Sequence, residues 1–116
     1  MAVELRPGQA LRLWHDVSLA LVREGDIDLS LRQMTILLTI YLEAPPHTVR
    51  GLAARLGVTK PVITRALDTM GAMKLVSRRR DEADRRNVII QRTVEGALFV
   101  EKLADLIVSE GRTLPR

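Results

Sequence analysis

Apolar residues recur along this chain with a helical period in five stretches and an extended period in two. From about Gln9 to Arg23, Leu11, Trp14, Val17 and Leu21 fall on one side of a helix. Pro7–Gly8 precedes that stretch and Gly25–Asp26 closes it, as start and stop signals should. The next stretch, LRQMTILLTIYLE, follows Ser30, a good N-cap, and runs to Pro45–Pro46. It is apolar almost all round, which predicts the central and most buried helix.

Thr48 then precedes VRGLAARL, whose apolar side is Leu52, Ala53 and Leu56. Gly57 stops this short helix, in the left-handed conformation that helix ends favour. After the turn Gly57–Val58–Thr59, Thr59 is the expected cap of KPVITRALDTMGAM, with Pro61 in the first turn where its missing N–H does no harm. Two helices joined by a tight turn containing glycine predict a helix-turn-helix. The second helix divides by periodicity. Ile63, Ala66, Leu67 and Met70 make a core stripe; Lys60, Pro61, Thr64, Arg65 and Asp68 make the opposite face.

The period then changes. Leu75–Val76–Ser77 opens a strand that runs into Arg78, Arg79 and Arg80; Val88–Ile89–Ile90 belongs to a second, with Asp81 to Arg85 as the tip between them. A hairpin straight after a helix-turn-helix is a wing. The fold class is therefore mainly α with a small β-hairpin, a winged helix-turn-helix flanked by terminal helices. The last helix, opened by Thr93, carries only a narrow polar stripe of Glu95, Glu101, Lys102, Asp105 and Ser109. The first is almost as apolar. Surplus apolar surface on both terminal helices, about 9–24 and 93–109, predicts a homodimer built there. The expected organisation is one domain over 1–116, with a core of about 30–92.

Charge sharpens this picture. The whole chain of 116 residues carries +4, but eleven basic against four acidic residues between His47 and Arg92 put +7 there, and the flanks hold −3. A basic middle between acidic ends is the footprint of a polyanion-binding module. No aromatic residue lies in that segment. Single-stranded nucleic acids are usually held on aromatic platforms, so a duplex is the better fit. The acidic residues at the wing tip are expected to hold an arginine's planar fork in one orientation.

Several classes are set aside. There is no cysteine, so disulfides, thiolate chemistry and cysteine-held zinc are out. His15 and His47 are the only histidines, and no nucleophile motif, glycine-rich phosphate loop or metal-ligand spacing accompanies them. No enzyme activity, cofactor or metal is expected. No apolar run approaches the roughly 20 residues of a bilayer span, and the N-terminal stretch lacks a signal-peptide pattern. Together these favour the cytoplasm.

The stretches LSLRQMTILLTI, TVRGLAARLGVTKPVITRALDTM and LVSRRRDEADRR, with Thr93 opening the next helix, resemble the MarR family of winged-helix regulators from about Ser30 to Leu98. The resemblance implies a dimer on double-stranded DNA that usually represses transcription. It implies Lys60, Pro61, Thr64 and Arg65 in the major groove, behind the cap Thr59. It puts Arg85 in the minor groove, supported by Asp84 and Arg86, with Arg78 and Arg80 along the wing. Thr48 and Arg50 would meet phosphate at a helix N-terminus.

The chain departs from the family pattern at three points. It begins close to its first helix and stops soon after Ser109, where members usually carry a second C-terminal helix. Lys74 stands where glycine is common, so the turn before the wing should differ or be strained. Pro61 replaces a small hydroxyl residue, which suggests an apolar contact to a thymine methyl. A small organic effector beside Trp14, Met34 and Leu38 is a further expectation. The alternative reading is a winged-helix protein-interaction module, because fold does not fix function.

Overall fold

The computed structural model describes residues 3–115. Its elements run α1 (Pro7–Glu24), α2 (Leu31–Leu42), β1 (His47–Thr48), α3 (Val49–Leu56), α4 (Lys60–Ala72), β2 (Val76–Arg80), β3 (Val88–Arg92) and α5 (Val94–Arg112). They gather into two compact units, one from Leu29 to Val100 and one from the terminal segments, up to Asp28 and from Glu101 onward.

The Leu29–Val100 unit is a winged helix-turn-helix. Ser30 caps α2 in a reciprocal box: its hydroxyl accepts from the Gln33 amide at 3.1 Å, and Gln33 Oε1 accepts from the Ser30 amide at 2.8 Å. Ile36, Leu37 and Ile40 of α2 are buried with Leu52 of α3 and with Ile63, Leu67 and Met70 of α4. The four-residue stripe expected on α4 is buried throughout. The expectation for α2 needs correcting. Leu31 is 73% and Leu42 74% exposed, so the helix is buried on one side only. Its apolar ends are simply longer than the face that α4 and β3 cover.

Gly57 takes φ 70 and ψ 35 at the end of α3, and the Val58 amide closes on Ala53 O at 3.0 Å. Beyond α4 the chain repeats that left-handed turn without glycine. Lys74 has φ 63, its amide reaches Gly71 O and the Leu75 amide reaches Met70 O, each at 3.0 Å. This is the paired hydrogen bonding that ends many helices. Lysine pays a steric penalty there of roughly 1 kcal/mol.

The sheet has three strands, ordered β1-β3-β2, all antiparallel. The hairpin is as expected, but β1 adds a short strand beside it, pairing His47 with Ile90 and Thr48 with Ile89. In β2 and β3, Arg78 lies opposite Ile90 and Arg79 opposite Ile89. Alternation therefore puts Val76, Arg78 and Arg80 on one face with the buried Ile90, and Ser77 and Arg79 on the other.

In the terminal unit, α1 starts at Pro7, two residues before the expected start, with proline at the position helices tolerate best. Val17 and Leu103 are buried, while Leu11, Trp14, Val22 and Val108 each expose at least half of their surface. No described helix is long and apolar enough to cross a membrane.

Candidate nucleic-acid interface

Lys60, Pro61, Thr64 and Arg65 are all exposed on the face of α4 opposite its buried stripe. Among the described residues, the side chains of Lys60, Thr64 and Arg65 have no hydrogen-bond or ion-pair partner. Three polar groups of different geometry are thus presented from the first turns of one helix. Thr59 has the extended conformation of an N-cap, φ −80 and ψ 158, but its side chain makes no capping hydrogen bond. The expected cap is a backbone cap only, and the hydroxyl is left for another acceptor. Thr48 does cap: its Oγ1 accepts from the Gly51 amide at 2.9 Å. The Thr48 hydroxyl proton remains available, and Arg50 is exposed two residues on.

The arginines of the wing have separate fates. Arg78 reaches across to α4 and pairs with Asp68, Nη1 to Oδ1 at 2.8 Å. That contact neutralises the one acidic group on the α4 outer face and ties the wing to the helix. Arg80 turns inward along the hairpin and donates to Arg85 O at 2.9 Å. Arg85 and Arg79 are exposed, with no side-chain partner among the described residues. Arg86 Nε lies 3.3 Å from Asp84 Oδ1, with 89% of its side chain exposed. Asp84 therefore steadies Arg86 rather than Arg85, and only through one nitrogen.

Much of the acidic tip serves the backbone. Asp81 Oδ1 accepts from the Ala83 amide at 2.9 Å, and Asp84 Oδ1 from the Arg86 amide at 3.1 Å. These are side-chain-to-backbone turns of the kind aspartate favours. Asp84 touches a single nitrogen of the Arg86 fork and does not span it, and Asp81 shapes the loop instead.

Two other members of the basic segment meet partners within the chain, Arg55 at the surface and Arg92 against the end of α2. Arg55 meets Glu43 with Nη2 to Oε1 at 2.6 Å, and this hydrogen bond holds the Glu43 carboxyl below its ordinary pKa and raises that of Arg55. Arg92 donates from Nε to Ile40 O at 2.8 Å and from Nη2 to Glu43 O at 3.0 Å, closing carbonyls at the end of α2. Its guanidinium also lies 5.8 Å from the Tyr41 ring centroid. Arg79, exposed on the outer face of β2, is not among the residues the sequence singles out. The usable signal was strand alternation, since Val76 facing inward sends Arg78 inward and Arg79 outward.

The histidines do other work. His47 is buried, with Nε2 3.1 Å from Glu43 O, and His15 Nδ1 lies 2.9 Å from Asp16 Oδ1. No group of three or more metal-ligating side chains occurs among the described residues. Trp14 lines an open apolar concavity of about 290 Å³ with Leu5, Ala10, Leu13, Val17 and Ile107, all within the terminal unit. Met34 and Leu38, its expected neighbours in an effector site, are half-buried in the other unit.

A buried helix-turn-helix, a polar outer face on its second helix and an arginine-bearing hairpin define a winged helix-turn-helix protein. The model of the MarR family matches residues 27–87, just over half of the chain. The chain belongs to that family, whose members are non-enzymatic DNA-binding transcriptional regulators. Among solved structures, a mutant of S. aureus MepR shares 22% identity at a TM-score of 0.74, covering 95% of this chain and 82% of that one. Reduced AbfR bound to DNA shares 26% at 0.69, covering 93% and 74%. CouR from Rhodococcus jostii RHA1 bound to p-coumaroyl-CoA shares 28% at 0.65, covering 90% and 71%. A comparison with curated proteins finds no match.

Proposed function

We propose that this protein is a sequence-specific repressor of transcription that binds double-stranded DNA as a homodimer in the cytoplasm. The observation that carries the reading is the set of polar side chains on one unit that have no partner among the described residues: Lys60, Thr64 and Arg65 on α4, and Arg79 and Arg85 on the wing. Unpaired cations at an exposed surface repel one another, and a phosphate backbone relieves that repulsion while releasing counterions. In this reading Lys60, Pro61, Thr64 and Arg65 address base edges in the major groove. Arg85 enters the minor groove where the negative potential is strongest. Thr48, Arg50, Thr59 and Arg86 take phosphates, and Arg78 and Arg80 act by holding the wing in shape. AbfR, at 26% identity, has been solved on DNA, which supports the reading.

The test is fluorescence anisotropy on random duplex and single-stranded DNA at two salt concentrations. Salt-sensitive binding that prefers the duplex is expected. No duplex binding at low salt would overturn the proposal in favour of a protein-interaction module. Replacing Arg85 and Arg86 together with alanine is expected to weaken binding to every duplex. It should also reduce the slope of log K on log salt by about 1 to 2. An unchanged slope would remove the wing from the interface.

The dimer would use α1 and α5. Leu11 and Val22 are 72% and 80% exposed, more than an isolated helix pair needs to leave open. The wild-type protein should sediment as a dimer at tens of micromolar, and Leu11→Glu with Val22→Glu as a monomer. Both side chains are already in solvent, so the double variant should keep its fold. A small organic effector completes the proposal, and CouR, solved with p-coumaroyl-CoA, supports it. Thermal shift against a panel of aromatic acids and their thioesters would test it, with no ligand-dependent shift counting against.

A further inference from the structure

The wing is an arm, and everything its tip can do depends on how its root is held. The root consists of Lys74–Leu75 entering β2 and Arg92–Thr93 leaving β3. Both legs meet one phenol. Tyr41, in the last turn of α2, donates from Oη to Leu75 O at 2.8 Å and accepts from the Thr93 amide at 3.0 Å. The phenol has one proton, and the shorter contact claims it, since Thr93 O lies at 3.3 Å. Thr93 then carries the link onward: its Oγ1 donates to Lys74 O at 2.7 Å and accepts from the Gly96 amide at 2.9 Å in the first turn of α5.

Four segments therefore converge on Tyr41: the end of α2, the turn after α4, the wing and the start of α5. The place is crowded. A Cβ on Gly96 would collide with Tyr41 Oη and Leu75 O, so glycine is what lets α5 approach. Arg92 lies over the Tyr41 ring and donates to Ile40 O and Glu43 O, which ties the end of β3 to the end of α2 beside the phenol. The turn at Lys74 is left-handed, with its carbonyl aimed at Thr93.

We propose that Tyr41 is a positioning residue for the wing, setting the angle at which Arg85 is presented by joining both strands of the hairpin root to α2 and to the first turn of α5. This rests on the reading of Arg85 as a DNA contact. Leverage makes the role matter: five residues of strand reach roughly 17 Å, so a tilt of about 5° at the root moves the tip by about 1.5 Å. Such a shift is enough to spoil a contact made by hydrogen bonds. A phenylalanine would fill the same space and leave both legs of the root without their common partner.

The wing's position can be read without DNA. The chain has no cysteine, so spin labels on Ala54→Cys in α3 and Ala83→Cys at the wing tip report one distance within the Leu29–Val100 unit. Pulsed electron spin resonance on labelled protein diluted with unlabelled protein should give one narrow distribution, and Tyr41→Phe should broaden or shift it. An unchanged distribution overturns the proposal. Thr93→Val cuts the Lys74 and Gly96 links and leaves both bonds of the phenol, so a distribution disturbed as much as by Tyr41→Phe would place the positioning at Thr93 and overturn the proposal.

A double-variant cycle on duplex binding then separates positioning from general stability. Tyr41→Phe should weaken binding by roughly threefold or more, at the low end of couplings within one hydrogen-bond network. In a background with Arg79, Arg85 and Arg86 all changed to alanine, which removes every wing contact, it should cost nothing further. Losses that multiply would mean that Tyr41 only stabilises the fold, and would overturn the proposal. If Arg85→Ala alone leaves binding unchanged, the DNA reading of the wing fails, and the spin-label result still decides the role of Tyr41.

Discussion

Gly96→Ala is expected to destabilise the protein by roughly 2–3 kcal/mol or more, and to lower its thermal midpoint by something like 10 °C. Two effects of opposite sign meet at this position. In a helix alanine is better than glycine, by up to about 1 kcal/mol in the interior and less in a first turn such as this one, partly because it restricts the unfolded chain. Against that, the new methyl would overlap Tyr41 Oη and Leu75 O and stand 2.7 Å from Tyr41 Cζ. A tyrosine tip can swing aside, but Leu75 O is backbone, and Leu75 is 1% exposed and packed in the core. The clash should therefore win. Gly111→Ala is the control: nothing lies within 4 Å of a Cβ there, so it should be neutral or mildly stabilising. Thermal or urea unfolding of the two variants decides the matter. Equal stability of both would show that the approach of α5 is looser than it looks.

Arg65→Ala is expected to cost about 1–3 kcal/mol of affinity on the protein's own site, or roughly five- to 150-fold, and little on random duplex. The free protein should hardly notice. Arg65 is exposed and has no side-chain partner among the described residues, and surface changes of that kind usually stay within about 0.5 kcal/mol. Arg65→Lys sharpens the comparison, because it keeps the charge and loses the planar fork that a guanine edge can match. If Arg65 reads a base, lysine should restore little on the true site. If both variants lose equally on true and random duplexes, Arg65 is a phosphate contact and Thr64 and Lys60 become the readers. The experiment needs a site selection first, followed by competition titrations at one fixed salt concentration.

Most of what positions this interface was legible in local spacing. The caps at Ser30, Thr48 and Thr93, the left-handed stop at Gly57 and the buried stripe Ile63–Ala66–Leu67–Met70 all depend on residues within about four positions of one another. Even the unusual backbone at Lys74 was signalled by the residue type standing where glycine is common. Less was legible of the sheet. β1 is two residues long, too short for alternation to show, and exists because His47 and Thr48 pair with Ile90 and Ile89, some forty residues on. The fate of each arginine was also hidden. Arg78, Arg79 and Arg80 are identical by type and adjacent, yet one pairs with Asp68, one has no side-chain partner among the described residues and one turns back on the wing tip.

The sequence by itself determined where the helices and the hairpin fall and which face of α4 is polar. Its positive charge also marked the middle of the chain as the candidate DNA-binding part. Those properties come from short-range sterics, periodicity and composition, which act before any long-range contact forms. Only the tertiary structure decided which of the cations remain available. Arg55, Arg78 and Arg92 meet partners between 10 and 52 residues away in the chain, and such meetings depend on how elements pack. The same holds for Tyr41, whose hydroxyl joins residues 34 and 52 positions distant. A hydrogen-bonding group has no preference for a distant partner until the fold brings that partner within about 3 Å.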